Sequence, residues 1–190
     1  MYNRNINRWK LKKWYDVELP DYMGSKVIGQ IISHDPSNLL NRKIKFPLSD
    51  ITQNTTPKAL YSNIIFKTTE VKGNKVIVKP VGFEIALSYL KSLAKKRKNV
   101  IHSVLDINLK DETVIRLKLL LITFNKISRT VEKNLRKEFE NQVRKVYSKM
   151  TFQEFIMDLI NDNSIKSIFQ EVNKINPIEH CLIKKYEIRS

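Results

Sequence analysis

The residues best suited to chemistry in this sequence are cations, and they come in groups. Lys91-Ser-Leu-Ala-Lys95-Lys96-Arg97-Lys98 places five cations in eight residues. Arg4, Arg8, Lys10, Lys12 and Lys13 crowd the first 13 residues, with no acid before Asp16. Arg42 and Lys43 form a pair, Arg116 and Lys118 alternate with Ile115, Leu117 and Leu119, and Arg129 opens a further basic stretch. Lys and Arg grip phosphates, and each phosphate they neutralise releases condensed counterions, which makes binding steeply salt-dependent. Trp9, Trp14 and Tyr15 lie among the first of these cations, and an aromatic face can stack on an unpaired base. Trp14 and Tyr15 also open the first strand, and both are assigned to the core; Trp9 is left unassigned.

Other chemistries find no constellation. His34, His102 and His180 are far apart and lack metal-ligand spacing. His180 adjoins Cys181, but neighbours in a strand point to opposite faces, which argues against a nucleophilic Cys–His pair. Asp111 and Glu112 could start a hard-cation site, yet nothing supplies the remaining oxygen ligands. The four glycines form no phosphate-binding loop, and no serine sits in a nucleophile elbow. The sequence therefore points to a protein without catalysis, cofactor or metal. An RNA-processing enzyme would need a carboxylate or histidine cluster that is missing.

The 190 residues carry 35 Lys+Arg against 19 Asp+Glu, a net charge of +16, while 42 % are hydrophobic and 28 % charged. That composition folds. An excess of one sign repels itself in the folded state, so a polyanionic partner is expected, either nucleic acid or an anionic membrane surface. The longest apolar run, residues 119–122, is four residues against the roughly 20 that span a bilayer. No apolar segment of a secretory signal follows the basic start. A single cysteine suits a reducing compartment, so a cytoplasmic location is expected. The 129–149 helix could lie on a membrane, but its apolar stripe continues into a segment that must itself be buried, so no membrane partner is expected.

The elements that must position the cations follow from periodicity. Residues 1–13 read as a basic arm that orders only on a partner, and residues 14–190 as a single α+β domain. Its strand-rich part is 14–124, its mainly helical part 128–176, and its final strand 179–188. Strands are predicted at 27–32, 43–48, 61–71 and 75–81, with a hairpin turn at Lys72-Gly73-Asn74-Lys75 and a polar loop over 53–57. A helix follows in which Ala86, Leu87, Leu90, Leu93 and Ala94 span an arc of ~120°, and Lys91, Lys95 and Lys98 share a neighbouring face. Strands at 100–109 and 113–124 come next, joined at Lys110-Asp111-Glu112. Along and just past the 129–149 helix, Val131, Leu135, Phe139, Val143, Val146, Tyr147 and Met150 make a long apolar stripe. Thr151-Phe-Gln-Glu154 matches the capping box, and a last helix over 164–175 stops before Pro177. The fold class is α+β, a mostly antiparallel, β-barrel-like core with peripheral helices and a basic N-terminal arm.

Taken together these motifs resemble the S3Ae (eS1) family of small-subunit ribosomal proteins shared by archaea and eukaryotes. The resemblance starts at Lys13-Trp14-Tyr15-Asp16-Val17 and continues through Ser33-His34-Asp35-Pro36-Ser37-Asn38-Leu39, Arg42-Lys43 and Leu48-Ser49-Asp50-Ile51-Thr52. Glu70-Val71-Lys72-Gly73-Asn74, Gly82-Phe83-Glu84, the basic 90–98 stretch, Met150-Thr-Phe-Gln-Glu-Phe155 and Lys174-Ile-Asn-Pro-Ile178 follow in order, covering 13–190. Asn41 and Gln53-Asn54 depart from glycine-containing turns, and Phe83 stands where relatives usually have His or another residue, so no family role is carried to that position. The chain stops soon after the final strand, as archaeal members do. The resemblance implies a structural constituent of the small ribosomal subunit, on the platform near the mRNA exit, contacting rRNA and neighbouring ribosomal proteins, without catalysis; mRNA near the exit is left as a candidate contact. The alternative is a non-ribosomal RNA-binding or RNA-processing protein.

Overall fold

Residues 11–189 are described by a computed structural model. They divide into two compact units, 11–46 with 65–80 and 47–64 with 81–189. The first unit opens with strands β1 (Lys13–Glu18) and β2 (Val27–Ser33), paired antiparallel from Lys13↔Ser33 to Glu18↔Val27. Strand alternation turns Tyr15, Val17 and Ile31 inward. β3 (Lys43–Pro47) pairs with β4 (Ser62–Lys72), and β4 continues through a hairpin into β5 (Lys75–Ile85). Gly73 sits at φ +60° in that turn, where a Cβ would be strained. Gly29 is needed for another reason: a Cβ there would stand 2.8 Å from the Phe46 ring, which in turn packs edge-on against Phe66 at 6.2 Å. β1 lies parallel to the first half of β5, from Asp16↔Lys75 to Glu18↔Ile77.

In the second unit the far half of β5 pairs antiparallel with β8 (Ile178–Arg189), placing Phe83 opposite Tyr186. Both side chains are fully buried, so Phe83 serves as packing. β8 pairs with β7 (Val114–Thr123), and β7 with β6 (Val100–Asn108), both antiparallel. β6 alternates strictly, with Ile101, Ser103, Leu105 and Ile107 inward, whereas β7 is buried continuously from Leu119 to Thr123, the pattern of a strand covered on both faces. Followed strand by strand, the path is β2-β1-β5-β8-β7-β6, with β3 and β4 off it, eight strands in all. It is open, ending at β2 and β6.

The described residues also form six α-helices. α1 (Leu48–Thr52) and α2 (Pro57–Leu60) flank the polar loop, each barely one turn and invisible to periodicity. α2 nevertheless carries a start signal, since Pro57 fills the first helical position and the Thr56 hydroxyl accepts from the Ala59 N–H at 3.4 Å. α3 (Leu87–Leu93) is followed by α4 (Arg129–Tyr147), α5 (Phe152–Asn161) and α6 (Asn163–Asn173). The capping box is present: Glu154 N–H donates to the Thr151 hydroxyl at 3.3 Å, and Thr151 N–H donates to the Glu154 carboxylate at 2.8 Å. The backbone hydrogen bond holds that carboxyl below its usual range. α4 packs on β6 and α6 on β8. Tyr147, Phe155 and Tyr186 interlock edge-to-face at 5.2 and 5.3 Å, fully buried.

Candidate nucleic-acid interface

The predicted helix bearing Lys91 stops earlier than its periodicity suggested. α3 ends at Leu93, so only Lys91 is helical; Lys95, Lys96 and Arg97 lie in the turn beyond, and the shared helical face with Lys98 does not form. Arg97 adopts φ 67°, a left-handed conformation that costs a non-glycine residue about 1 kcal/mol. Lys91, Lys95, Lys96 and Arg97 are exposed and form no ion pair among the described residues. Lys98 turns inward instead, 16 % exposed, and pairs with Glu179. That hydrogen bond holds the Glu179 carboxyl below its ordinary value.

The base of this loop is stapled. Asn99 N–H donates to the Thr123 hydroxyl at 3.0 Å, Thr123 N–H donates to the Asn99 carbonyl at 3.1 Å, and the Asn99 side chain accepts from Ile127 N–H at 3.1 Å. Its amide nitrogen reaches Glu132 of α4 at 3.3 Å. A basic tip thus stands on a fixed base, so little ordering entropy opposes a bound anion.

α4 presents a second basic face. Leu135, Phe139, Val143 and Tyr147 are buried, while Arg129, Lys133, Lys137, Arg144 and Lys145 are exposed. The carboxylates of this helix are occupied: Glu132 pairs with Arg136 at 3.0 Å, Glu138 accepts from Gln142 at 2.7 Å, and Glu140 accepts from the Ser103 hydroxyl. Arg129 sits in the first turn, the end that disfavours a cation.

β7 behaves differently. Arg116 donates two hydrogen bonds to Asp106, at 2.7 and 2.8 Å, from the directly opposite position on β6. Lys118 lies 3.5 Å from Glu187 of β8, which also takes Lys185 at 2.5 Å, and Arg189 reaches Asp106 at 3.8 Å. The basic face expected at the start of this strand is therefore an ion-paired network.

In the first unit, Lys13 belongs to β1, and Arg42 and Lys43 are exposed. Arg42 is fixed through its backbone, its carbonyl accepting from Thr68 N–H at 3.0 Å, and its guanidinium reaches the Ile32 carbonyl at 3.4 Å. The preceding Asn41 takes φ 62°, the left-handed region that a glycine adopts readily, and in the 53–54 pair Gln53 does so at φ 56°. The core assignment holds for Tyr15 and fails for Trp14, which is 57 % exposed. Adjacent strand residues face opposite ways, so both could not enter one core. Arg4, Arg8, Lys10 and Trp9 lie outside the described residues.

The remaining polar residues serve local structure. Asp111 accepts from Phe152 N–H at 2.8 Å, helping to hold the start of α5. His34 Nδ1 meets Asp35 at 2.9 Å in an exposed turn. Burial, with Lys184 and Arg136 nearby, pulls the His102 pKa down, and burial pushes the Cys181 thiol up to about 12, where it stays protonated and unreactive. Among the described residues no three His, Cys, Asp or Glu side chains gather as a metal site, and no helix is long and apolar enough to cross a membrane.

The chain is similar to known proteins over nearly its whole length. The model of the Ribosomal S3Ae family matches residues 2–190. A protein named small ribosomal subunit protein eS1 from Sulfurisphaera tokodaii is 29 % identical over 182 residues, covering 96 % of this chain and 93 % of its own length. Proteins of the same name from Saccharolobus islandicus (28 % over 182 residues; 96 % and 86 %) and Thermoplasma acidophilum (29 % over 183 residues; 96 % and 84 %) are similar to the same extent.

Proposed function

The chain belongs to the ribosomal S3Ae family, and on that premise we propose that it is a structural constituent of the small ribosomal subunit that binds rRNA through its basic residues. As a member of a family of structural ribosomal proteins it is not an enzyme. What carries the rRNA reading is the state of one group of cations: Lys91, Lys95, Lys96 and Arg97 stand exposed around a stapled loop, without an ion pair among the described residues, on a chain with an excess of +16. Lys12, Lys13, Arg42, Lys43 and Arg129 are added on their charge, as are Arg4, Arg8 and Lys10 of the 1–13 arm, with residues 14–190 acting as one domain. Arg116, Lys118 and Lys98 rank behind them because each already holds a carboxylate.

Recognition on this reading is of phosphates, RNA shape and splayed bases, because side chains cannot read the narrow A-form major groove. A place on the platform near the mRNA exit, neighbouring ribosomal proteins, contact with mRNA there and a cytoplasmic location complete the proposal. A barrel-like core belongs to it too. Supporting that are the bulges at Val17/Glu18 in β1 and Lys118/Leu119 in β7, which increase local twist, and the change of partner along β5. Sedimentation of cell lysate on a sucrose gradient tests the function. The protein is expected in the small-subunit fractions at low salt and released at high salt; recovery only at the top of the gradient under all conditions overturns it.

A further inference from the structure

β6 ends the strand path of the second unit, paired with β7 and, among the described residues, with no other strand. The two ends of the β6–β7 ladder show which backbone groups this leaves over. Leu109 N–H donates to the Thr113 carbonyl and Thr123 N–H to the Asn99 carbonyl, both at 3.1 Å. The register between them, from Val100↔Ile122 to Asn108↔Val114, has no shift, so the odd-numbered residues of β6 carry the bonds to β7. The amides and carbonyls of His102, Val104, Asp106 and Asn108 therefore point to the open side. None of them has a partner among the described residues, and all four residues are exposed, Val104 at the centre by 57 %. Edges of this length are ordinarily blunted by lysine, proline or a bulge. β6 has none of these, and its one charge, Asp106, is already held by Arg116. β2, at the other end of the path, contains Gly29, and its Ile32 carbonyl is taken by Arg42.

We propose that the open edge of β6 takes an extended segment of another protein as an added strand, with an apolar residue beside Val104 and a carboxylate beside His102. It rests on the ribosomal reading only in that a ribosomal subunit supplies neighbouring proteins. The backbone groups themselves select a polypeptide. Donors and acceptors alternating along an edge match a second extended chain group for group, whereas an RNA backbone brings acceptors to the amides and leaves the carbonyls facing phosphate charge. A second copy of this chain is disfavoured, because each carries +16 and the two repel. The same charge sets the sign of the segment. Lys184 and Arg136 lie close enough to His102 to pull its pKa down, so a carboxylate arriving there meets cations. Val104 gives the segment its one apolar contact on the exposed face, the cross-strand pairing that β-branched and aromatic residues favour.

The full chain, isotope-labelled, is titrated with synthetic peptides of alternating Thr and Val that carry a Glu two positions before or after the central Val, and hydrogen exchange is followed amide by amide. In the free protein the amides of His102, Val104, Asp106 and Asn108 are expected to exchange quickly and those of Ile101, Ser103, Leu105 and Ile107 slowly. The peptide should slow the first set, and the better placement of Glu gives the direction of the added strand. Methylating a peptide nitrogen that faces the edge keeps its charge and is expected to weaken binding roughly 2- to 13-fold for each hydrogen bond removed. Val104→Pro, which removes an edge donor and no bond to β7, should do the same; the methylated peptide leaves the protein untouched, so its weaker binding cannot come from misfolding. Binding indifferent to methylation, or absent up to about 1 mM peptide, overturns the proposal. So does slow exchange of the first set in the free chain, which would assign the edge to residues 1–10 if their deletion restores fast exchange and to a second copy if the protein sediments as a dimer. An RNA hairpin that slows the same amides overturns it in favour of RNA. Absence of the protein from small subunits would overturn the ribosomal reading and leave the peptide result standing.

Discussion

Lys95, Lys96 and Arg97 are of the same residue types as Arg116 and Lys118, yet the two sets have opposite fates. The first three project from a turn and form no ion pair among the described residues, whereas Arg116 is held bidentately by Asp106 and Lys118 faces Glu187. The cause is geometric. A sheet gives every outward side chain cross-strand neighbours about 5 Å away, so one acid on β6 or β8 suffices to neutralise a cation on β7. A loop tip offers no such neighbour. A cation already holding a carboxylate must give up that partner to take a phosphate, so pairing state marks an RNA-facing surface better than a count of Lys and Arg.

The largest effect is expected from emptying the free tip. Replacing Lys95, Lys96 and Arg97 together with Ala should lower the slope of log affinity against log salt by about three, roughly one for each lost phosphate contact. Melting temperature should stay close to that of the wild type, because none of the three forms an ion pair among the described residues. A slope unchanged by all three substitutions would remove the loop from the interface. The reverse change sharpens the comparison from the other side. Asp106→Asn releases Arg116 and the more distant Arg189, and is expected to steepen the salt slope by about one. If it does not, the β7 face lies away from RNA whatever its charge.

How much of this could be read from the sequence depends on the distance along the chain over which each feature is decided. The capping box at Thr151, the hairpin at Gly73 and the extent of β6 are local, and the pattern alone locates them. The same locality put part of the β7 network within reach. A turn centred on Asp111 pairs position 106 with 116, which is the observed register, so hairpin counting alone is enough to match Arg116 to Asp106. The ties of Lys98 to Glu179, 81 residues away, and of Lys58 to Asp162, 104 away, have no such signal. They depend on which elements pack together. α1 and α2 escaped because one turn cannot show a 3.6-residue period. Trp14 is exposed despite its apolar character because alternation along β1, with Tyr15 turned inward, decides which side it faces.

Lys96 and Lys98 allow the comparison to be broken within a single loop. Lys98→Ala leaves Glu179, 22 % exposed, without its cation, and is expected to lower Tm by roughly 1–3 °C with little change in salt slope. Lys96→Ala should do the opposite, lowering the slope by about one and leaving Tm alone. Equal behaviour of the two variants in both measurements would mean that pairing does not sort the cations of this loop.

The smallest effect lies in acid. Hydrogen bonds from Arg116, Lys98 and Lys185 hold the carboxyls of Asp106, Glu179 and Glu187 below their ordinary values. A carboxyl whose pKa is lower in the folded state contributes stability that is fully present above the unfolded value of about 4 and is lost as pH falls through the folded value. Tm should therefore fall slightly below about 6.5, where burial and the nearby Lys184 and Arg136 oppose protonation of His102, and decline further below about 4. Asp106→Asn and Lys98→Ala each remove part of that coupling and should flatten the decline, whereas replacing Lys96 and Arg97 together with Ala should leave its shape as in the wild type. A Tm series from pH 7 to 3 decides it, because cations that stabilise no carboxylate have no means of changing how the fold responds to acid.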